Sequence, residues 1–287
     1  MDQQTINHTI QWPLGIKLED LVGAGITALV VRLDAVIKFA AYPDQQPLIE
    51  REKTIYQRLG HDHDGVLRYY GNLGDALILQ YASHGSIRQY YASQTKSVSL
   101  SLQLRWVEQI TAAVSFIHSR NVLHGDISCN NVMIDDGLNA KLGDFAGSSM
   151  DGQDHLIYYE TSHSHPEIIG ISTASDIFAL GSTFYEVMTG SKPYRDLSNT
   201  EIERAYKEGN YPSLVSLAAF NDIIHKCWTK GYASVGDLLE DVKAEVTTKS
   251  TLVVPSQPSA LRHTIAFPIA LTLMSLLPLL FWARNRR

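Results

Sequence analysis

Near residue 82 the chain changes its hydrophobic period, and that change limits the fold more than any other feature. Upstream, apolar residues come in short extended runs: "LEDLVGAGITALVVRL", broken by Gly23 and Gly25, then "AVIKFA" alternating about Lys38, then "GVLRYYG" and "ALILQYA". Runs of this kind form neighbouring antiparallel strands. One helix interrupts them, because "QPLIEREKTIYQRLG" sets Ile49, Glu52, Ile55, Tyr56 and Leu59 at helical spacing and stops at Gly60. Downstream the period is helical. "SLSLQLRWVEQITAAVSFIHSRN" places Leu102, Trp106, Ile110, Ala113 and Ile117 on one side. "SDIFALGSTFYEVMTG" is apolar nearly all round, as a core helix must be. The expected class is α+β, with a small antiparallel sheet and its helix followed by a larger, mainly helical part.

At 287 residues and 32.0 kDa the chain has room for one large domain or two lobes with a proper core. A net charge of −6 gives no electrostatic case for nucleic acid as a partner. Cys129 and Cys227 stand far apart in no metal-ligand spacing, which favours a reducing compartment over a disulfide framework. The start, MDQQTINHTIQW, lacks an apolar run behind a basic end, so no secretory signal is expected and the cytoplasm is favoured. Near the other end "TTKSTLVVPSQPSA" reads as a linker, placed at 246–263. Residues 264–283 contain an uncharged stretch, Ile265 to Trp282, followed by the basic ARNRR. It is a candidate transmembrane segment and membrane anchor, although its uncharged stretch spans only about 27 Å as a helix against a ~30 Å hydrocarbon core. A packed helix interrupted by Pro268 and Pro278 is the alternative.

The chemistry gathers between 123 and 147. In "LHGDISCNNVMI" Asp126 and Asn131 are five positions apart, and thirteen residues further "KLGDFAG" supplies Asp144 at the end of an apolar run. Phosphoryl transfer from a nucleotide needs a carboxylate near the acceptor hydroxyl, hard oxygen ligands for magnesium and a cation on the phosphates. Asp126 suits the first need, and Asn131 with Asp144 the second. Upstream, "GAGITALV" can turn over phosphates, with Lys38 on the next strand to reach them and Glu52 on the helix to hold that lysine. Taken alone, Lys38 would be an ordinary solvent-facing lysine; its spacing to the other groups raises it. "HDHDG" at 61–65 and "SHSH" at 162–165 read as loop histidines before they read as metal ligands.

Over roughly residues 12 to 245 this order of motifs resembles the eukaryotic protein kinase family. The resemblance implies a two-lobed fold, with an N-lobe over 12–81 and a C-lobe over 82–245, behind an N-terminal tail over 1–11. It also implies ATP and Mg2+ as cofactors and a protein substrate. Gly23, Ala24 and Gly25 look like the Gly-rich loop, with Val30 on the adenine. Lys38 and Glu52 look like the ion pair, Asp126 like the catalytic aspartate, and Asn131 and Asp144 like the metal ligands. Leu79 falls at the position that gates the nucleotide pocket, Gln80 to Ala82 form the hinge, and Val36 and Met133 complete the nucleotide-binding set. "HSHPEI" about Glu167 resembles the end of an activation segment, Asp176 the brace of the catalytic loop, and "CW" at 227–228 a late helix.

Four positions depart from the pattern. Gly125 stands where most of the family has arginine, so no guanidinium is offered to a phosphorylated segment. Ser128 replaces a lysine that touches the transferred phosphate, a loss worth about 10²–10³ in rate by comparison with single preorganised electrostatic groups. Ala28 and Ala146 replace glycines. The expected function is a protein kinase acting on a protein hydroxyl, with serine or threonine favoured. A pseudokinase serving as a nucleotide-binding or scaffolding module is the alternative. A small-molecule kinase of the aminoglycoside or choline type is the third reading, because "HGD" with an asparagine five residues on also occurs there.

Overall fold

Among the described residues, five short strands and one α-helix build the first lobe. The computed structural model describes residues 21–24, 28–152 and 159–253. Strand β1 (Leu21–Ala24) pairs antiparallel with β2 (Leu29–Val31), setting Gly23 opposite Val30 and Ala24 opposite Leu29. Strands β3 (Ala35–Lys38), β4 (Tyr69–Leu73) and β5 (Ala76–Gln80) form an antiparallel sheet in the order β3-β5-β4. Its register sets Val36 opposite Leu79 and Lys38 opposite Leu77. Side chains alternate along a strand, so these four share one face. Leu77 and Leu79 are buried there, and helix α1 (Gln46–Leu59) packs against β5. The buried side of α1 is the stripe expected from the sequence: Ile49, Glu52, Ile55, Tyr56 and Leu59. That stripe carries a carboxylate into the interior, where only a charged partner can offset its lost hydration.

The second lobe is helical: α2 (Ile87–Ser93), α3 (Leu100–Ser119), α4 (Thr173–Thr189), α5 (Asn199–Lys207), α6 (Asn221–Trp228) and α7 (Val235–Val253). Helix α4 is buried nearly all round and is started by Ser172, whose hydroxyl accepts from Ser175 N in a reciprocal cap. It approaches α6 so closely that a Cβ at Gly181 would lie 2.6 Å from Cys227 Cβ, which glycine alone avoids. Trp228 is buried at that contact and donates its Nε1–H to Ser182 Oγ at 3.1 Å. Helix α3 packs against both α4 and α7. This is the two-lobed α+β plan that the sequence predicts.

Between these layers lie two small strand pairs that position the chemistry. Strand β6 (Val122–Leu123) pairs with β9 (Ser149–Met150), and β7 (Val132–Ile134) pairs with β8 (Ala140–Leu142). The loop 124–131 runs from β6 to β7, and the loop 143–148 from β8 to β9. Pairing both their beginnings and their ends lays the two loops side by side.

One boundary differs from expectation. The stretch read as a linker from 246 continues α7 as far as Val253. Its threonines satisfy themselves within the helix, Thr247 donating to Lys243 O, Thr248 to Ala244 O and Thr251 to Thr247 O. Lys249 adds an i,i+4 ion pair with Glu245. Among the described residues no helix is long and apolar enough to cross a membrane. The expected transmembrane segment at 264–283, the tail at 1–11 and Gly25 lie outside the described residues.

Candidate active site

Asp176, wholly buried on α4, organises the first loop. Its carboxylate accepts from His124 N at 2.9 Å, Gly125 N at 3.0 Å, His118 Nε2 at 2.8 Å and Tyr159 Oη at 2.5 Å. Burial alone would raise this carboxyl, but the His118 hydrogen bond and charge hold it below the ordinary carboxylate range. The His124 ring ties the two loops together. Its Nδ1 accepts from Asp126 N at 3.2 Å, which leaves Nε2–H to donate to Gly143 O at 3.0 Å. Burial lowers the pKa of this imidazole and so favours that neutral form.

Gly125 adopts φ 80°, a left-handed backbone that a side chain would strain. A Cβ there would also lie 2.1 Å from Ile171 Cδ1. Ile171 therefore packs directly against the backbone at position 125.

The loop folds back as the Asp126 to Asn131 spacing requires. Asn131 Nδ2 donates to Asp126 O and to Asp126 Oδ2, both at 2.8 Å. That commits the amide nitrogen, while Asn131 Oδ1 accepts only at 3.5 Å from Asn130 Nδ2 and is the oxygen that could hold a metal. Ser128 is 1% exposed and its Oγ accepts from Asn130 N at 3.3 Å, so the side chain turns into its own loop. The Asp126 carboxyl is pushed up to about 7, chiefly by burial. The charges of Glu160 and Asp144 add to the rise, while the Asn131 hydrogen bond and the Arg88 charge oppose it.

Across the cleft Lys38 Nζ lies 2.6 Å from Glu52 Oε2 and 2.8 Å from Asp144 Oδ1. Burial would lower this ammonium, but the two carboxylates outweigh it and hold its pKa above the ordinary lysine value. Burial acts on Glu52 by raising its carboxyl, against which the Lys38 charge pulls down. Asp144 has φ 62°, a turn that short polar side chains tolerate. Burial would raise its carboxyl, yet the charge and hydrogen bond of Lys38 keep it below the ordinary carboxylate value. Phe145 follows into the interior, edge-on to Tyr56 at 5.1 Å, and its N–H donates to Glu52 Oε1 at 3.3 Å.

A cavity of about 500 Å³ opens over this ion pair. Of the nucleotide-binding residues expected from the sequence, Val36, Lys38, Leu79, Gln80, Ala82 and Met133 line it, together with Glu52 and Asp144. Gly23, Ala24 and Val30 sit on the β1–β2 hairpin and are not in its lining. Tyr81, within the expected hinge, also lines it, and Ile37, Phe39 and Leu67 join the wall without having been anticipated. Also unanticipated is an ionic cluster formed by Arg88, Glu160 and Glu186. Its partners are 72 and 98 residues from Arg88, a separation that leaves no periodic signal in the sequence. Part of the wall is apolar and the ion pair forms another part, so the cavity could receive an aromatic base and an anionic group together. Asp144 and Asn131 contribute the hard oxygens that magnesium prefers.

The family profile described as protein tyrosine and serine/threonine kinase matches residues 31–234. A probable LIM domain-containing serine/threonine-protein kinase of Dictyostelium discoideum is 25% identical over 219 residues, covering 70% of this chain and 34% of the relative. Serine/threonine-protein kinase PLK2 of Mus musculus is 26% identical over 191 residues, 62% of this chain and 27% of the relative. A probable serine/threonine-protein kinase of Dictyostelium discoideum is 31% identical over 160 residues, 52% of this chain and 32% of the relative. The chain thus spans about a third or less of the length of these curated relatives. With its profile match covering well over half of its length, the chain belongs to the protein tyrosine and serine/threonine kinase family.

Proposed function

We propose that the chain is a protein kinase that transfers the γ-phosphate of ATP to a protein hydroxyl, of serine or threonine. The observation that carries this reading is Lys38 Nζ held between Glu52 and Asp144, at 2.6 and 2.8 Å, at the mouth of the cavity that also meets Met133 and Ala82. In this reading Lys38 holds the phosphates, Glu52 holds Lys38, and the cavity wall receives the adenine. Asn131 and Asp144 would hold Mg2+, which supplies charge neutralisation at the phosphates when bound. Asp126 orients the acceptor hydroxyl and takes its proton as the acceptor oxygen bonds to phosphorus and the bond to ADP breaks. The names of the relatives, all serine/threonine-protein kinases, favour serine or threonine over tyrosine as acceptor.

One observation favours a second reading. Ser128 is buried in its own loop and offers no cation to the transferred phosphate, as in a nucleotide-binding pseudokinase. Transfer of radiolabelled phosphate from ATP to casein, compared between the wild type and Asp126→Asn, separates the two. Label on casein from the wild type alone supports the kinase; ATP binding without label in either supports the pseudokinase. For residues 264–283 we propose a C-terminal membrane anchor, a reading that rests on the sequence.

A further inference from the structure

Arg88 is the first-turn arginine of α2, and it bonds to three other parts of the second lobe. Its backbone N–H donates to Cys129 O of the catalytic loop at 3.1 Å. Its Nε and Nη2 fork onto Glu186 of α4 at 2.7 and 2.9 Å, and its Nη1 reaches Glu160 at 2.7 Å. Glu186 is buried, so the fork is the charge partner that its burial requires. Glu160 is different: its side chain is 28% exposed, and Lys192 flanks it at 3.7 Å. It follows Tyr159, whose hydroxyl is bound to Asp176, and precedes the short helical turn Thr161–His163. His163, buried beside Glu186, is pushed down to about 4 by burial and adds no competing charge at neutral pH.

We propose that Arg88 is a positioning residue for the acceptor side of the site, fastening Glu160 to the catalytic loop and to α4 so that the segment from 159 to 167 is set beside Asp126. The proposal rests on the protein kinase reading for its kinetic consequence, and on geometry alone for the clamp. Glu160 is only partly buried, and a partly exposed carboxylate gains modestly from an ion pair with a flexible cation. A guanidinium already fixed by a buried fork presents Nη1 with its orientation settled, so Glu160 binds without ordering a second flexible side chain. The backbone bond from Arg88 to Cys129 O ties the clamp to the loop that carries Asp126, and the charges of Glu160 and Arg88 act on that carboxyl in opposite directions.

The test uses the full chain with Glu160→Ala and Glu160→Asp, and Arg88→Lys as the variant from the other side. Hydrogen exchange of the amides from 159 to 167 is followed by mass spectrometry. KM for dephosphorylated casein and for ATP is measured alongside. Glu160→Ala is expected to speed exchange in that segment and to raise the casein KM about tenfold, with the ATP KM within about twofold of wild type. Glu160→Asp recovers part of the protection, and Arg88→Lys, which keeps the charge and loses the fork, falls between. Unchanged exchange in 159–167 overturns the proposal, as does a loss that strikes casein and ATP equally. A wild type inactive on casein removes the kinase reading, while the exchange comparison still decides the clamp.

Discussion

Ile171 fills the space above Gly125: a Cβ at position 125 would lie 2.1 Å from Ile171 Cδ1, on a backbone already at φ 80°. Gly125 thus leaves no side chain at this position, and Ile171 packs against its backbone. Ser148 Oγ donates to His124 O, and Ser162 Oγ pairs with His163 Nδ1, so these buried hydroxyls are already committed. Activity should therefore survive phosphatase treatment unchanged, whereas Gly125→Arg should lower both Tm and activity. The left-handed backbone alone costs a non-glycine residue about 1–2 kcal/mol. Thermal melts and casein phosphorylation before and after phosphatase check this; activity lost with phosphate, or gained with arginine, contradicts it.

The pKa of Asp126 near 7 predicts a pH dependence for both activity and stability. A base must be deprotonated, so kcat/KM should fall as pH drops through about 7. For stability the sign is opposite. An acid raised in the folded state above its unfolded value favours folding below the unfolded pKa, and that advantage is lost as pH rises through the folded pKa. Asp126→Asn should thus melt higher than the wild type above pH 7 and converge with it below about pH 4. Melts from pH 4 to 9 read this directly, and parallel curves would refute it.

Lys38 and Glu52 should be coupled energetically. Lys38→Met leaves a buried carboxylate without its cation, a defect that costs about 3–5 kcal/mol at comparable sites. Adding Glu52→Gln removes the unpaired charge and should return part of the lost Tm. A double variant no more stable than Lys38→Met would show that the pair is not coupled.

The apolar segment at 264–283 gives a separate expectation. Membranes carrying the full chain should retain it through an alkaline carbonate wash, and a chain ending at 253 should be released. Release of both would leave the anchor without support.

What the sequence shows well is what periodicity records. The stripe on α1, including the buried Glu52, and the all-round burial of α4 follow from spacing alone. The Asp126 to Asn131 distance makes sense once the loop folds back. Composition misleads at 246–253, because threonines that look like linker residues bond to carbonyls one turn back and continue α7. The pairing of Gly125 with Ile171 and of Arg88 with Glu160 and Glu186 is illegible for another reason. Each joins distant segments through side chains with no periodic neighbours, so nothing local announces the partner.

The most direct test of the account measures ATP binding and phosphate transfer on the same preparations. Full-length wild type and Asp126→Asn are titrated with ATP in the presence of magnesium by calorimetry, then incubated with radiolabelled ATP and casein. The account predicts that both bind ATP with affinities within a few-fold of each other, and that only the wild type labels casein. Equal labelling by Asp126→Asn, or a wild type that binds ATP and transfers nothing, would contradict it.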